Sequence, residues 1–308
     1  MRLRRKILWS LLAGFVFILL FAHPYFAVTR PSGGRVLVAE GWMHHEGLRE
    51  TAELFRHGGY EHLYVTGTVR PFSYFLRHHE AIEVDLDHAA ERLEVALGGL
   101  PGAHWCLTAD GDTLLTTVVG RWTTTHVVDL TGRARRGFRL TAWSDAPPAD
   151  HAPIGFIKAL HADGVDAHES ATMITIRRTD GRTMPGPRTH AEDARIRLID
   201  LGVPDSLITA VPTWKVGTGG RTSSSARTLV AYARAHGIGA FDVATLAVHA
   251  RRTWKSYRKA YGGQEAVGII ALHDPWCKRW TWWTNYYGVF QMAKEIAALP
   301  QTWWNDLH

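Results

Sequence analysis

Residues 34–68, "GRVLVAEGWMHHEGLRETAELFRHGGYEHLYVTGT", establish the architecture of this chain. Four apolar residues at 36–39 are typical of a buried strand that ends in a loop. Leu48, Ala52 and Phe55 then recur at helical spacing, and the glycine pair after them ends a helix readily. The closing segment "HLYVTGT" predicts a second strand. Strand, helix and strand in about 30 residues form a βαβ unit, which predicts a parallel sheet.

From about residue 69 to residue 185 the pattern changes to short strands without helices between them. Eight runs rich in β-branched residues are separated by turn signals such as Asp110-Gly111. These runs are "IEVDL", "RLEVAL", "HWCLTA", "TLLTTVV", "THVVDL", "GFRLTAW", "IGFIKAL" and "ATMITIRR". Strands repeated so closely predict an all-β sandwich or barrel.

The alternation of strands and helices resumes after "MPGPRT". Strands are predicted at "LITAVP", "DVATLAV" and "AVGIIAL", and helices at "HAEDARIRLIDLG", "TSSSARTLVAYARAHGI" and "GVFQMAKEIAAL". Residues 222–225, all serine or threonine, are the predicted N-cap choices for the second of these helices. The chain is therefore predicted to be one α/β domain, residues 31–68 plus 186–308, interrupted by a β-sandwich over 69–185.

The N-terminal segment, residues 1–30, is predicted to be a basic cytoplasmic end followed by a membrane anchor. Residues 7–28 contain no Asp, Glu, Lys or Arg and are long enough to cross a bilayer core of about 30 Å as a helix. The basic cluster at 1–6 places the N-terminus in the cytoplasm and the body outside the cytoplasmic membrane. A cleaved signal peptide is the alternative, but Tyr25 or Phe26 stands where a cleavage site needs a small residue, so an anchor is favoured.

The overall charge argues against a nucleic-acid partner. The 308 residues are 46% hydrophobic and include 35 basic and 29 acidic residues. Four of the basic residues fall in the first six positions, which leaves 31 basic against 29 acidic residues for the rest. Duplex binding needs a clustered basic stripe, which this balance does not provide. The two cysteines, Cys106 and Cys277, are too few for a CxxC site; two free thiols are favoured, with one long-range disulfide as the alternative.

Candidate site residues follow the predicted parallel strands, because ligands of such sheets bind beyond the carboxyl ends of the strands. Three sets occupy these positions: Glu40 with Gly41, Thr66 with Gly67, and His249 with Arg251 and Arg252. Free N–H groups at a helix start and two guanidinium groups attract an anion. The pattern predicts a phosphate- or carboxylate-binding corner with Glu40 as a general base. The alternative is a solvated helix face with a structural histidine.

Other chemical motifs are less specific. The Gly-rich segment 215–228 is similar to a phosphate cradle but matches neither GxGxxG nor GxxxxGK[ST], and a flexible loop capped by Thr222 is the alternative. A Ser-His-acid triad of Ser223, His249 and Glu192 lacks a G-x-S-x-G elbow. No metal site is predicted, because HExxH is absent. Four aspartates of the insert are turn residues or, alternatively, calcium ligands: Asp145, Asp150, Asp163 and Asp166.

The order of the motifs "VLVAEGW", "YVTGT", "HAEDARIRLIDLGVP", "GRTSSSA" and "LAVHARR" resembles the family of YdcF, SanA and ElyC. The resemblance covers about residues 33–68 and 186–300. It implies a Rossmann-like, three-layer parallel sheet and, for anchored members, a body outside the cytoplasmic membrane with a role in envelope integrity or in cell-wall and glycoconjugate metabolism. The site residues it implies are Glu40, Gly41, Thr66, Gly67, Glu192, Arg221, Thr222, His249, Arg251 and Arg252. The insert resembles a carbohydrate-binding β-sandwich through "GFRLTAWSD" and "FIKALHADGV".

Two functions are compatible with these patterns. In the first, a membrane-anchored envelope enzyme binds an anionic, phosphorylated or nucleotide-like glycan precursor, with Glu40 and His249 as catalytic residues. In the second, a non-catalytic envelope factor binds polysaccharide through the insert. The expected partners are the cytoplasmic membrane, through residues 7–28, and a cell-wall glycan or a lipid-linked sugar. The sequence identifies no cofactor; a nucleotide-type methyl donor is a third hypothesis, which rests on the Rossmann-like pattern.

Overall fold

The computed structural model describes residues 2–120, 122–148, 153–262 and 266–304. The chain divides into two compact units, of which the first takes Met1–Thr68 and Thr189–His308 and the second takes Val69–Arg188. The boundaries between the units therefore fall after Thr68 and after Arg188.

Strands and helices occur along the whole described chain. The strands are β1 (Val36–Glu40), β2 (His62–Thr68), β3 (Tyr74–Leu76), β4 (Ala81–Ala90), β5 (Arg92–Gly99), β6 (His104–Ala109), β7 (Asp112–Val118), β8 (Thr124–Asp129), β9 (Arg135–Trp143), β10 (Gly155–Ala162), β11 (Val165–Asp166), β12 (Ala171–Arg177), β13 (Thr183–Pro185), β14 (Ile208–Thr213), β15 (Phe241–Leu246) and β16 (Val267–Leu272). The α-helices are α1 (Arg2–Phe26), α2 (His45–His57), α3 (Ala167–Ser170), α4 (His190–Asp200), α5 (Gly220–Ala235), α6 (Ala250–Tyr261) and α7 (Tyr286–Trp304). Short 3₁₀ helices lie at Asp205–Leu207, Ala247–His249 and Trp282–Thr284.

The first unit is built on a parallel sheet with the strand order β14-β2-β1-β15-β16. Side chains alternate across β1: Leu37 packs with α2 and α4, whereas Val38 packs with α5 and α6. Both faces of the sheet are therefore covered by helices. This is the three-layer α/β arrangement expected from the sequence, and strands buried at every position, such as β15, are its hallmark.

The order of the strands places a crevice at one end of β1. The chain passes from β1 to β2 on one side, and β15 later pairs with the other side of β1. Helices that connect these strands leave in opposite directions, so a gap opens beyond the carboxyl ends of β1 and β15. Residues that follow these strands therefore border this crevice.

Two glycines bring the start of α4 close to the ends of β1 and β2. A Cβ atom on Gly41 would lie 2.3 Å from the carbonyl oxygen of His190, and one on Gly67 would lie 2.6 Å from the amide nitrogen of Ala191. No real Cβ atom tolerates such distances from backbone, so any larger residue would displace α4. The N–H of Gly41 also donates to the carbonyl of Thr66, at 2.6 Å, which ties the two strand ends together.

The N-terminal apolar stretch forms most of α1, and the end of this helix packs against later elements of the first unit. Phe26 is buried together with Val248, Cys277 and Met292. Within the described residues, none of the helices combines the length and the apolar character needed to cross a membrane. The transmembrane helix over residues 7–28 stays a prediction, and the side chains of residues 7, 8, 10–12 and 15 within it lie outside the described part of the chain. The side chains of residues 1–5, which include most of the predicted basic cluster, lie outside the described part of the chain.

The second unit consists of two antiparallel sheets. One has the order β13-β12-β4-β9-β6-β7, and the other has the order β11-β10-β5-β8, with β3 added to β10. Side chains from both sheets form one core, in which Trp105 of β6 is fully buried and donates its indole N–H to the carbonyl of Gly98 in β5, at 3.2 Å. A strand lies at each of the eight predicted runs, and the short β3, β11 and β13 were not predicted. Cys106 in this unit and Cys277 in the first unit are both free thiols.

Candidate functional site

A cavity of about 390 Å³ lies at the carboxyl ends of the parallel strands in the first unit. Seven of the residues expected from the sequence line it: Glu40, Thr66, Gly67, Arg221, Thr222, His249 and Arg252. The remaining lining residues are Trp42, Thr68, His190, Gly219, Gly220, Ser225, Tyr287, Gln291 and Lys294. The strand ends, the start of α5, the start of α6 and one side of α7 thus converge on a single space.

Glu40 ends β1 and is buried, with 1% of its surface exposed. Its Oε2 atom accepts two hydrogen bonds, from the Thr245 hydroxyl at 2.5 Å and from the Thr253 hydroxyl at 3.1 Å. Both donors serve the same oxygen. The Oε1 atom has no hydrogen-bond partner among the residues that the structure describes, so this oxygen is the one available to a ligand proton.

His249 is held by Glu295, which comes from α7. The two side chains are 4% and 1% exposed, and Nδ1 of His249 lies 2.6 Å from Oε1 of Glu295. Arg252 donates to the same carboxylate twice, from Nε at 2.9 Å and from Nη2 at 2.8 Å. Nη2 of Arg252 is also 3.1 Å from Nδ1 of His249, but Nδ1 cannot accept there while it donates to Glu295. The carboxylate therefore fixes the tautomer in which Nδ1 carries the proton.

The hydrogen bonds and charges around Glu295 keep its carboxyl group ionised. Burial raises the pKa of Glu295, but hydrogen bonds from His249 and Arg252 outweigh burial and lower the pKa to about 2. Burial lowers the pKa of Arg252, whereas its bonds to Glu295 and the nearby charge of Glu40 raise it above its ordinary value. Glu295 is thus a carboxylate and Arg252 a cation throughout the neutral range.

The start of α5 faces the same cavity and has no side-chain cap. The N-cap residue is Gly219, with a left-handed backbone at φ 91°, and the helix begins at Gly220. The predicted Ser or Thr cap at 222–225 is wrong, because glycines permit the helix to start earlier. Ser224 instead accepts a hydrogen bond from the amide of Gly217, at 3.0 Å. The first amide groups of a helix have no intrahelical partner, and four residues of this helix start line the cavity: Gly219, Gly220, Arg221 and Thr222.

The structure does not bring every expected residue to the cavity. The guanidinium of Arg251 donates to the carbonyl of Tyr25 and lies 4.0 Å from the centre of its ring. Successive helical residues are turned by about 100°, so Arg251 and Arg252 face different directions. Glu192 caps α4: its Oε2 accepts from the amide and the hydroxyl of Thr189, both at 2.9 Å. Gly41 supports the site through backbone contacts and is not among the lining residues.

Sequence reasoning missed the contribution of α7. Tyr287, Gln291 and Lys294 line the cavity, and Glu295 orients His249. One signal was present: Gln291 and Glu295 share a helical face with Met292, and a carboxylate on a buried face requires a charged or hydrogen-bonding partner. The pattern therefore predicts that Glu295 has a partner, but it does not identify His249 and Arg252 as that partner.

Charge in the cavity favours an anion. Arg221 and Lys294 line it as cations, and the charge of Arg252 is balanced by Glu295, which leaves Glu40 as the remaining acid. The positive end of the α5 dipole adds to the charge of these two cations, which exceeds that of the single remaining carboxylate.

Metal binding finds no support in the described residues, among which no three His, Cys, Asp or Glu side chains group as ligands. Two of the four aspartates considered as calcium ligands have local roles. Asp163 accepts from the backbone amides of Glu91 and Arg92, and Asp166 caps α3 through the amide of His168. Asp150 lies outside the described residues.

The first unit is an α/β fold with a cavity at the carboxyl ends of its parallel strands. No protein-family model and no curated protein matches this chain. Among solved structures, a PA14 sugar-binding domain from RTX adhesin is similar at 12% identity and a TM-score of 0.17. The match covers 36% of this chain and 52% of that chain, so it spans about half of that structure.

Proposed function

We propose that this chain is a YdcF-like protein of the cell envelope and that its first unit binds an anionic ligand, phosphorylated or nucleotide-like. The observation that carries the proposal is the convergence of Arg221, Lys294 and the uncapped start of α5 on the cavity that also holds His249. The order of the family-like motifs supports the envelope role. A sugar phosphate or a nucleotide fits within a cavity of about 390 Å³.

The cavity also holds two groups that can move a proton. Glu40 offers the Oε1 atom, and His249 offers Nε2, since its Nδ1 is committed to Glu295. A bound anion at the start of α5 would therefore lie in the same space as both candidate catalytic residues. This combination favours turnover of the ligand over passive binding.

Calorimetric titration of the purified chain with inorganic phosphate and with a uridine-diphosphate sugar tests the binding proposal. Loss of a charge-assisted hydrogen bond weakens affinity by roughly tenfold, so Arg221→Ala and Lys294→Ala should each do so. Arg35→Ala is the matched control, because Arg35 precedes β1, has a side chain 70% exposed and pairs with Glu61 at the surface. Equal affinities for all three variants would contradict the proposal.

The same proposal places the body outside the cytoplasmic membrane, with the N-terminal end in the cytoplasm. Its basis is the sequence of residues 1–30, in which a basic cluster precedes an uncharged apolar stretch. Alkaline phosphatase fused after residue 308 is active outside the cytoplasm and inactive inside it, so active fusions are expected. Inactive fusions at normal expression would contradict this location.

A second candidate function is glycan binding by the second unit without catalysis. Phe75 of β3 is 63% exposed and stacks on Phe156 of β10 with ring centres 4.6 Å apart. Exposed aromatic faces bind sugar rings through their apolar surface. Binding of the chain to insoluble peptidoglycan, and its loss in Phe75→Ala, would support this function; unchanged retention in the variant would contradict it.

A further inference from the structure

We propose that His249 is a nucleophile that takes a phosphoryl group from a phosphate monoester, so that the first unit is a phosphatase working through a phosphohistidine. The inference rests on the proposed function, because it requires a phosphorylated ligand in the same cavity. It adds the reaction class, the reacting atom and the positioning residue, Glu295.

The reacting atom follows from the hydrogen bonds. Nδ1 of His249 carries the proton because it faces the carboxylate of Glu295 at 2.6 Å. The neutral ring then has its lone pair on Nε2, which has no hydrogen-bond partner among the described residues. His249 lines the cavity, and its ring is packed against Trp42 with the centres 5.0 Å apart. The ring is therefore held by Glu295 and Trp42, and its unprotonated nitrogen is the one left for a ligand.

The surroundings stabilise the charge that an attack creates. When Nε2 bonds to phosphorus, the imidazole ring becomes positive, and the ionised Glu295 lies in contact with it. The phosphoryl oxygens keep their negative charge, which Arg221, Lys294 and the start of α5 face. Both charges are met by groups already in place, so the protein needs little reorganisation.

The reaction balances with water as the co-reactant. In the first step the Nε2 lone pair forms a P–N bond, and the P–O bond to the alcohol breaks; the alkoxide leaves with the electron pair and takes a proton from water. In the second step Glu40 accepts a proton from a water molecule, whose oxygen bonds to phosphorus. The P–N bond breaks, its electron pair returns to Nε2, and inorganic phosphate is released. Glu40 then gives its proton to the hydroxide that the first step left, which restores both the water and the carboxylate.

A serine pathway is the competing chemistry, because Ser225 also lines the cavity. The acid that the sequence offered for a triad, Glu192, is used to cap α4. His249 has its carboxylate partner in Glu295 instead. The stability of the covalent adduct separates the pathways, since a phosphohistidine is stable in alkali and labile in acid, whereas a phosphoserine survives acid.

The test incubates the full chain with p-nitrophenyl phosphate, quenches it in alkali and maps the phosphorylated peptide by mass spectrometry. We expect an acid-labile adduct on His249, its absence in His249→Ala, and partial recovery of turnover in that variant with added imidazole. Arg35→Ala is expected to match the parent chain. An acid-stable adduct, an adduct on Ser225, or turnover in His249→Ala equal to that of the parent chain would overturn the inference.

Glu295 is tested as a positioning residue. Glu295→Gln should lower kcat by about 100-fold with KM changed much less, and Glu295→Asp should recover part of kcat. A structural role alone would lower both variants' folded fraction without this split between kcat and KM. Phosphate titration keeps the two proposals apart: binding without any turnover or adduct overturns the nucleophile alone, whereas no binding overturns the proposed function.

Discussion

Nδ1 of His249 lies 2.6 Å from Oε1 of Glu295, although His249 belongs to the turn after β15 and Glu295 belongs to α7, far along the sequence. The contact is buried, and Arg252 completes it by binding the same carboxylate. It gives the histidine one orientation and one tautomer. The stability and the activity of the first unit are both expected to depend on it.

The charge of Glu295 should appear in the acid stability of the chain. Its pKa is lowered from 4.5 to about 2, so its contribution to folding is fully present above about pH 4.5 and is lost as pH falls toward 2. Such a shift corresponds to about 3 kcal/mol. Urea unfolding should show Glu295→Gln less stable than the parent chain at pH 7, with the gap closing below pH 4.5. A gap that stays constant between pH 7 and pH 3 would contradict the ionised pair.

Adjacent arginines are expected to behave differently. Arg252→Ala removes both bonds to Glu295 and leaves a buried carboxylate with one donor, so phosphate affinity and thermal stability should both fall. Arg251→Ala removes contacts with Tyr25 and should leave phosphate affinity within about twofold, since it is not among the lining residues. Calorimetry and thermal melts of the two variants decide this, and equal losses of affinity would contradict the geometry.

Gly67 is expected to tolerate no side chain. A Cβ atom there would lie 2.6 Å from the amide nitrogen of Ala191, so Gly67→Ala should cost about 1–3 kcal/mol of unfolding free energy. Gly239→Ala is the control, because nothing lies within 4 Å of its Cβ position. Its effect should stay within about 0.5 kcal/mol. Similar urea midpoints for both variants would show that α4 does not pack on the end of β2 as described.

The second unit is expected to fold without the first. It has its own core across two sheets, in which Trp105, Leu93 and Ile157 are fully buried. Residues 69–188 expressed alone should give one cooperative thermal transition.

The first unit should fold when residues 69–188 are deleted, because Gly67 and Ala191 already lie side by side and a short linker can join the two segments. A non-cooperative melt of the isolated unit would place the boundary elsewhere.

The sheets and most helices were predictable because hydrophobic periodicity is a local property. The buried strands β1 and β15 are mainly apolar, and the rule for parallel sheets assigns residues at or just beyond their carboxyl ends to the site. Glu40 and His249 were found in this way. Their positions depend on strand order alone.

The remaining parts of the site depend on tertiary packing. Glu295 becomes a partner of His249 only when α7 docks, and helix periodicity does not say where a helix docks. Arg251 was expected beside Arg252 because the two adjoin in sequence, yet a helix turns them apart. The start of α5 was misplaced because Gly219 adopts a left-handed backbone that no residue pattern requires.

The position of a bound phosphate tests the central claim most directly. A crystal of the chain soaked in inorganic phosphate should show the anion within hydrogen-bond distance of Arg221, Lys294 and the first amides of α5, with a phosphate oxygen or phosphorus facing Nε2 of His249. Phosphate bound at a surface site, with this cavity filled only by water at saturating concentration, would contradict the account.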